Sequence, residues 1–488
     1  MKDRDGQVSS GGDAAARGAR GRAAGAGQGT VGSPETGGPA ASTQLDHEPP
    51  GRGLSERIAQ RARANLRNLI SDDTLALPSL SAIADDMRIE LEKRGSVAIL
   101  YVGLKRYGRL ERVFGWQVTS EVLDACSSIL QEMVGTSLRK LDVLADFTLS
   151  DNAFIVVLSP PRKAREIAPD DLTAISRRVY ERLQSMLLND LTPGVFDRVH
   201  PFVTTAVLQS DPKLTFEQSL QNGVAAAMEA AEREWLLYDD ELERTLADAI
   251  VNHSLEPLFE AVVDVADRKV LGYRSTIRGP FYSPLRLPDV LDEVARRSPL
   301  LSSYGIEARE LAVTKATGLG AEELLWLGCA SAELPGAAVL ALSEFYSLNK
   351  ALVPQHVVFE LQLPDLVTNA ASTLRVLGTL REMGFPLCIS GVGGGFAAFE
   401  LIARAQPDYI AVDPIVVSGA SGDPTFMDAV QLLLRFAARI EARLIAPEVT
   451  DDRQLKALRR VGVELMSGEA FARPDTRLPR VNPAKLPR

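Results

Sequence analysis

The stretch Ile389-Ser390-Gly391-Val392-Gly393-Gly394-Gly395-Phe396 is where residue types and spacing first suggest chemistry. It follows an apolar run, Phe385-Pro386-Leu387-Cys388-Ile389, that reads as a buried strand ending in a turn at Ser390. Glycines just past a strand end let backbone approach a ligand closely, and taken alone they suggest a phosphate cradle. Other chemistries lack their residues. Cys126, Cys329 and Cys388 lie far apart in apolar runs, the pattern of buried thiols rather than disulfides. His47, His200, His253 and His356 are equally scattered, so neither a zinc enzyme nor a cysteine–histidine hydrolase is expected.

The elements that must position such a turn fall into blocks. Residues 1–53 are rich in Gly, Ala, Ser and Pro and cannot bury enough surface to offset their ordering entropy, so a disordered tail is predicted. In 54–77, Leu54, Ile58, Ala62, Leu66 and Leu69 recur at helical spacing among Arg57, Arg61, Arg63 and Arg67. This predicts an amphipathic helix that packs on the following domain or on a second copy, as in a homodimer. Residues 78–234 alternate strands (97–102, 154–158, 202–208) with helices (118–134, 171–188, and one from Thr215), which implies a layered αβ sandwich. A connecting helix is predicted over 235–254. From 255 to 476 a first strand pair, 258–265 and 270–277, is followed by repeated helix–strand units, the pattern of a (β/α) TIM-type barrel with its site at the strand C-termini. A tail over 477–488 completes the chain. The net charge of −10 argues against a nucleic-acid partner. No apolar run is long enough to cross a bilayer, and no apolar core follows the charged N-terminal residues, so a cytoplasmic, non-integral protein is expected.

Two resemblances can be stated on particular residues. Ala98-Ile99-Leu100-Tyr101-Val102-Gly103-Leu104-Lys105-Arg106-Tyr107, then Phe114-Gly115, then Ser150-Asp151-Asn152-Ala153-Phe154, resembles a GGDEF (diguanylate cyclase) domain. Gly103 stands where that family has a metal-binding aspartate, and Ser150 to Ala153 stand where its signature belongs, so cyclase activity is not expected. The family's inhibitory product site, Arg-x-x-Asp, has a counterpart in Arg139-Lys140-Leu141-Asp142, which makes Arg139 and Asp142 candidates for a vestigial site.

The C-terminal block is similar to an EAL domain, the phosphodiesterase of cyclic di-GMP. The similarity rests on Gly272-Tyr273, Ile277-Arg278-Gly279, Ser283-Pro284-Leu285, Phe359-Glu360-Leu361, Pro407-Asp408-Tyr409-Ile410-Ala411-Val412-Asp413 and Phe471-Ala472-Arg473-Pro474. The resemblance implies two-metal hydrolysis with oxygen ligands at successive strand ends. Here the Glu-Ala-Leu triplet reads Arg274-Ser275-Thr276, the expected asparagine is Gly328, the paired aspartates are Ser390-Gly391, the lysine is Ala411, the late glutamate stretch reads Ala446-Pro447-Glu448-Val449-Thr450, and the terminal glutamine is Ser467. Only Glu360 and Asp413 remain, so no Mg or Mn centre, no other cofactor and no catalytic residue is expected.

The expected function is therefore a catalytically inactive GGDEF–EAL pseudoenzyme, a regulatory module that binds protein partners in bacterial cyclic di-GMP signalling. A metal-independent cyclic di-GMP receptor is the alternative, and a residual phosphodiesterase a third reading. The candidate pocket is Arg274, Arg278, Glu360 and Asp413, with Arg278 where the family places a phosphate-contacting arginine. Arg274 would either face a phosphate in place of the lost cations or pair with Glu360 or Asp413 and close the site.

Overall fold

In a computed structural model of the protein, the described residues are 77–106, 110, 117–147, 153–159, 167–333, 352–393, 396–420 and 422–481. The tail predicted over 1–53, nearly all of the helix predicted over 54–77, and Ser150-Asp151-Asn152 lie outside them.

The αβ unit runs α1 (Leu80–Arg94), β1 (Ser96–Arg106), α2 (Gln117–Met133), β2 (Val143–Phe147), β3 (Ala153–Leu158), α3 (Pro169–Asp190), α4 (Pro193–Phe196), β4 (Val199–Gln209) and α5 (Phe216–Val251). The strands form one sheet in the order β2-β3-β1-β4 with every neighbour antiparallel. β1 is hydrophobic from Val97 to Val102 because both faces of the sheet are covered there. Ala98, Leu100 and Val102 pack with α2 and α3, and Val97, Ile99 and Tyr101 pack with α1 and α5. α1 and β2 are not among the elements predicted from the sequence. β2 is short, preceded by Asp142 and interrupted by Asp146, which hides its apolar character.

α5 starts at a reciprocal capping box, Thr215 with Gln218, and continues for 36 residues. The separate connecting helix predicted over 235–254 is thus the second half of one helix. No glycine or proline interrupts it after Gly223, and Leu242, Leu246 and Ala249 carry its buried stripe onward.

The second unit comprises β5 (Glu256–Asp264), β6 (Lys269–Arg278), α6 (Pro288–Arg297), α7 (Leu301–Lys315), β7 (Leu324–Gly328), β8 (Val357–Gln362), α8 (Leu363–Thr368), α9 (Ala370–Glu382), β9 (Leu387–Val392), α10 (Phe396–Ala405), β10 (Tyr409–Val412), α11 (Pro414–Gly419), α12 (Pro424–Arg439), β11 (Arg443–Ala446), α13 (Asp452–Arg460) and β12 (Leu465–Ser467). These strands close into a barrel in the order β10-β11-β12-β5-β6-β7-β8-β9. Its one departure from an all-parallel barrel is β5, which runs antiparallel to both β6 and β12. Residues 265–268 are too few for a crossover and can only make a hairpin, with Arg268 in the left-handed region (φ 57°). Two further boundaries differ from the sequence reading. β9 continues through Ser390 and Gly391 to Val392, so the glycine turn starts later than predicted. The 477–488 tail is not free over its first residues, since Leu478 and Val481 pack against the barrel core.

Candidate functional site

Inward-facing residues meet at the C-terminal mouth of the barrel. Within β6, Arg274 points inward with its cross-strand neighbour Glu260 on β5. Glu360 on β8 also points inward and is 6% exposed. The Arg274 guanidinium grips Glu360 in a two-toothed pair, with Nε donating to Oε2 at 2.8 Å and Nη2 donating to Oε1. Ser467 at the end of β12 donates from Oγ to Glu260 Oε2 at 2.9 Å. Trp326, Cys388, Ala411 and Ile445 floor and wall the recess, and Trp326 stands edge-on to Tyr409. Burial opposes the charge of Arg274, but Glu360 and Glu260 outweigh it and hold the guanidinium more firmly protonated than usual. Burial pushes the Glu260 carboxyl up, against the opposing pull of Arg274 and Ser467. Glu448, in the left-handed region (φ 54°) after β11, also has its carboxyl raised, first by burial and then by Glu260. Cys388 is a buried thiol pushed well up by desolvation.

The other candidates are spread out. Arg278, the last residue of β6, lies across from Glu256 and is paired with it at 2.8 and 2.6 Å in a partly exposed setting. Asp413 caps α11, its Oδ1 accepting from the Ile415 N–H at 3.0 Å, and does not join the Arg274 pair. Of the two closures open to Arg274, the barrel uses Glu360. Ser390 is buried and donates to the Leu361 carbonyl at 3.3 Å. Gly391 has φ 73°, and a side chain at Gly328 would meet nothing within 4 Å. In the αβ unit, Asp142 is buried, its two oxygens accepting from the backbone N–H groups of Arg139 and Ser159, each at 2.7 Å. Arg139 itself bonds the Ser159 carbonyl. Among the described residues no group of three or more His, Cys, Asp or Glu is placed to hold a metal ion.

Among models of protein families, the one described as EAL domain matches residues 243–474. An EAL domain is present over these residues. The chain is 21% identical over 283 residues to the blue light- and temperature-regulated antirepressor BluF of Escherichia coli K12, covering 57% of this chain and 66% of that protein. It is 23% identical over 433 residues to the cyclic di-GMP phosphodiesterase NbdA of Pseudomonas aeruginosa, covering 85% of this chain and 54% of the relative, about half of its length. Among solved structures, a PaMucR phosphodiesterase in complex with c-di-GMP superposes with a TM-score of 0.44 at 18% identity, over 48% of this chain and 97% of the other. The FimX EAL domain from Xanthomonas citri with c-diGMP gives 0.45 at 13%, over 50% and 96%.

Sequence reading singled out Arg274 and Glu360 in the EAL domain but missed Glu260, which shares their site. The signal was available: in Leu258-Phe259-Glu260-Ala261-Val262 the single charge shares its strand parity with the inward-facing Val262.

Proposed function

We propose that this protein is a non-catalytic regulator built on an EAL domain and a degenerate GGDEF-like αβ unit, acting on protein partners in cyclic di-GMP signalling. The observation that carries this reading is the Arg274–Glu360 pair. A guanidinium stands at the mouth of the barrel and engages both oxygens of Glu360. The donor set there does not suit a divalent ion, which needs several converging oxygens. Glu360 is committed to Arg274, Asp413 to the cap of α11, and positions 328, 391, 411 and 447 carry Gly, Gly, Ala and Pro. A fixed positive charge also repels the cations that two-metal hydrolysis requires. For the αβ unit, the reading is supported by Gly103 in β1 where a metal-binding aspartate would be expected.

A metal-independent receptor for cyclic di-GMP is the second reading, favoured by the partial exposure of Arg278 at the mouth, where it can exchange Glu256 for a phosphate oxygen. Incubation with cyclic di-GMP and manganese tests the first proposal: no release of linear pGpG is expected, and its release would overturn it. Titration calorimetry in EDTA separates the two readings. Heat that vanishes in Arg278→Ala establishes the receptor, and no heat at high protein concentration leaves the partner-binding regulator.

A further inference from the structure

The αβ unit reaches the EAL domain through two Arg–Asp pairs of opposite sense. Asp197 and Arg198 are adjacent in the turn between α4 and β4. Arg198, 7% exposed, donates from Nε to Asp289 Oδ2 at 2.8 Å and from Nη2 to Oδ1 at 2.6 Å. Its Nη1 bonds the Gly194 carbonyl at 2.5 Å, so the side chain is fixed within its own unit first. In return Arg286 donates to Asp197. Asp289 lies in the first turn of α6, where the helix dipole favours a carboxylate. Behind the pairs, Leu242 and Leu246 of α5 share one apolar cluster with Val290, Leu291 and Val294 of α6.

Residues 279–287, which leave the barrel mouth directly after Arg278, are held between these points. The Gly279 N–H donates to the Leu285 carbonyl at 2.8 Å, and Leu285 is fully buried. Arg286 then bonds the αβ unit, and Asp289 follows just beyond the loop. Asp289 is also close enough to the mouth to help raise the Glu448 carboxyl, after burial and Glu260. The Arg198–Asp289 pair is two-toothed, with Arg198 buried and Asp289 one-quarter exposed. Removing the carboxylate leaves the buried Arg198 charge without its partner.

We propose that Asp197 and Arg198 form a latch through which the αβ unit fixes the 279–287 loop at the mouth of the EAL domain. Movement of the αβ unit is then delivered to the mouth through this loop. The latch is independent of whether the mouth takes a dinucleotide or a protein, and its test reads neither.

Hydrogen–deuterium exchange on the full chain is the test. Arg198→Asp places like charges opposite each other, and exchange of the 279–287 amides should rise at least about tenfold while β8 and β9 keep the parent's rates. The exchanged pair, Arg198→Asp with Asp289→Arg, should return the loop to within about threefold of the parent. Unchanged exchange in the single variant overturns the latch, as does a loop that stays loosened in the exchanged pair. Should Arg198→Asp lose protection throughout the chain, Asp289→Asn decides by the same comparison of loop with β8 and β9. A local rise supports the latch, and none overturns it.

Discussion

The barrel and the αβ sheet treat polar side chains in opposite ways. In the barrel, Glu260, Arg274, Glu360 and Ser467 come from four strands and meet at one mouth, and the Arg274–Glu360 bond joins residues 86 apart in sequence. In the open sheet both faces are apolar, and polar groups are settled nearby: Asp142 by Arg139 and Ser159, and Thr204 by the Ala227 carbonyl at 2.8 Å. Closure explains the contrast. Inward positions of a closed barrel converge and find one another's side chains, whereas polar groups of the open sheet are met by backbone groups of the segments beside it. A charge change on one barrel strand is therefore answered on another. A change in the sheet is answered by backbone groups of an adjoining segment.

The largest effect expected of a single substitution tests the barrel side of this contrast. Glu360→Ala should destabilise the protein by about 3 kcal/mol, because the largely buried guanidinium of Arg274 loses its hydrogen-bonded carboxylate and keeps only the neighbouring Glu260, as read by chemical denaturation. Arg274→Met combined with Glu360→Leu should recover most of that loss. A single-variant cost near zero would mean that solvent already satisfies Arg274.

The sheet has its own half-buried titratable group. His200 lies against Tyr238, ring centroids 3.8 Å apart, and burial lowers its pKa from 6.5 to about 4. Its folded value is depressed, so the unfolded chain binds more protons between the two values. The stability it contributes is present above pH 6.5 and is lost as pH falls towards 4, about 3 kcal/mol in all. Denaturation followed between about pH 7 and about pH 4.5 should show a steep loss that His200→Gln flattens, with the barrel signal less affected. Equal slopes in parent and variant would remove His200 as the acid-sensitive point.

The smallest effect is at Arg278. Its pair with Glu256 is partly exposed, so Arg278→Ala should cost under about 1 kcal/mol in the same denaturation measurement. A larger loss would place Arg278 with Arg274 among the groups that hold the mouth together.

All eight barrel strands were legible, β5 and β6 as a pair about a short polar turn and the later six as short apolar runs between helical periods, with Val357–Gln362 and Tyr409–Val412 matching nearly to the residue. The reversed direction of β5 could also have been inferred, since four residues cannot make a crossover. At the site, sequence order suggested Arg274 beside Glu360 or Asp413, and only the geometry separated them. The cap on α11 already uses Asp413. The Arg198–Asp289 pair joins residues 91 apart on separate units, and no local period or motif encodes it. β2 escaped because its apolar residues are too few between aspartates to stand out.

The reversed first strand has a consequence for architecture. Because β5 runs opposite to its neighbours, the chain enters the barrel at Glu256 beside Arg278, at the mouth rather than at the base. A module spliced ahead of Glu256 through a rigid helix such as α5 is therefore delivered to the working end of the barrel. Were β5 parallel, the same upstream module would arrive at the closed end, some 30 Å of strand away from anything that happens at the mouth. The direction of one hairpin thus sets the address of everything that precedes it, and a domain fused here in a redesigned protein would inherit that address.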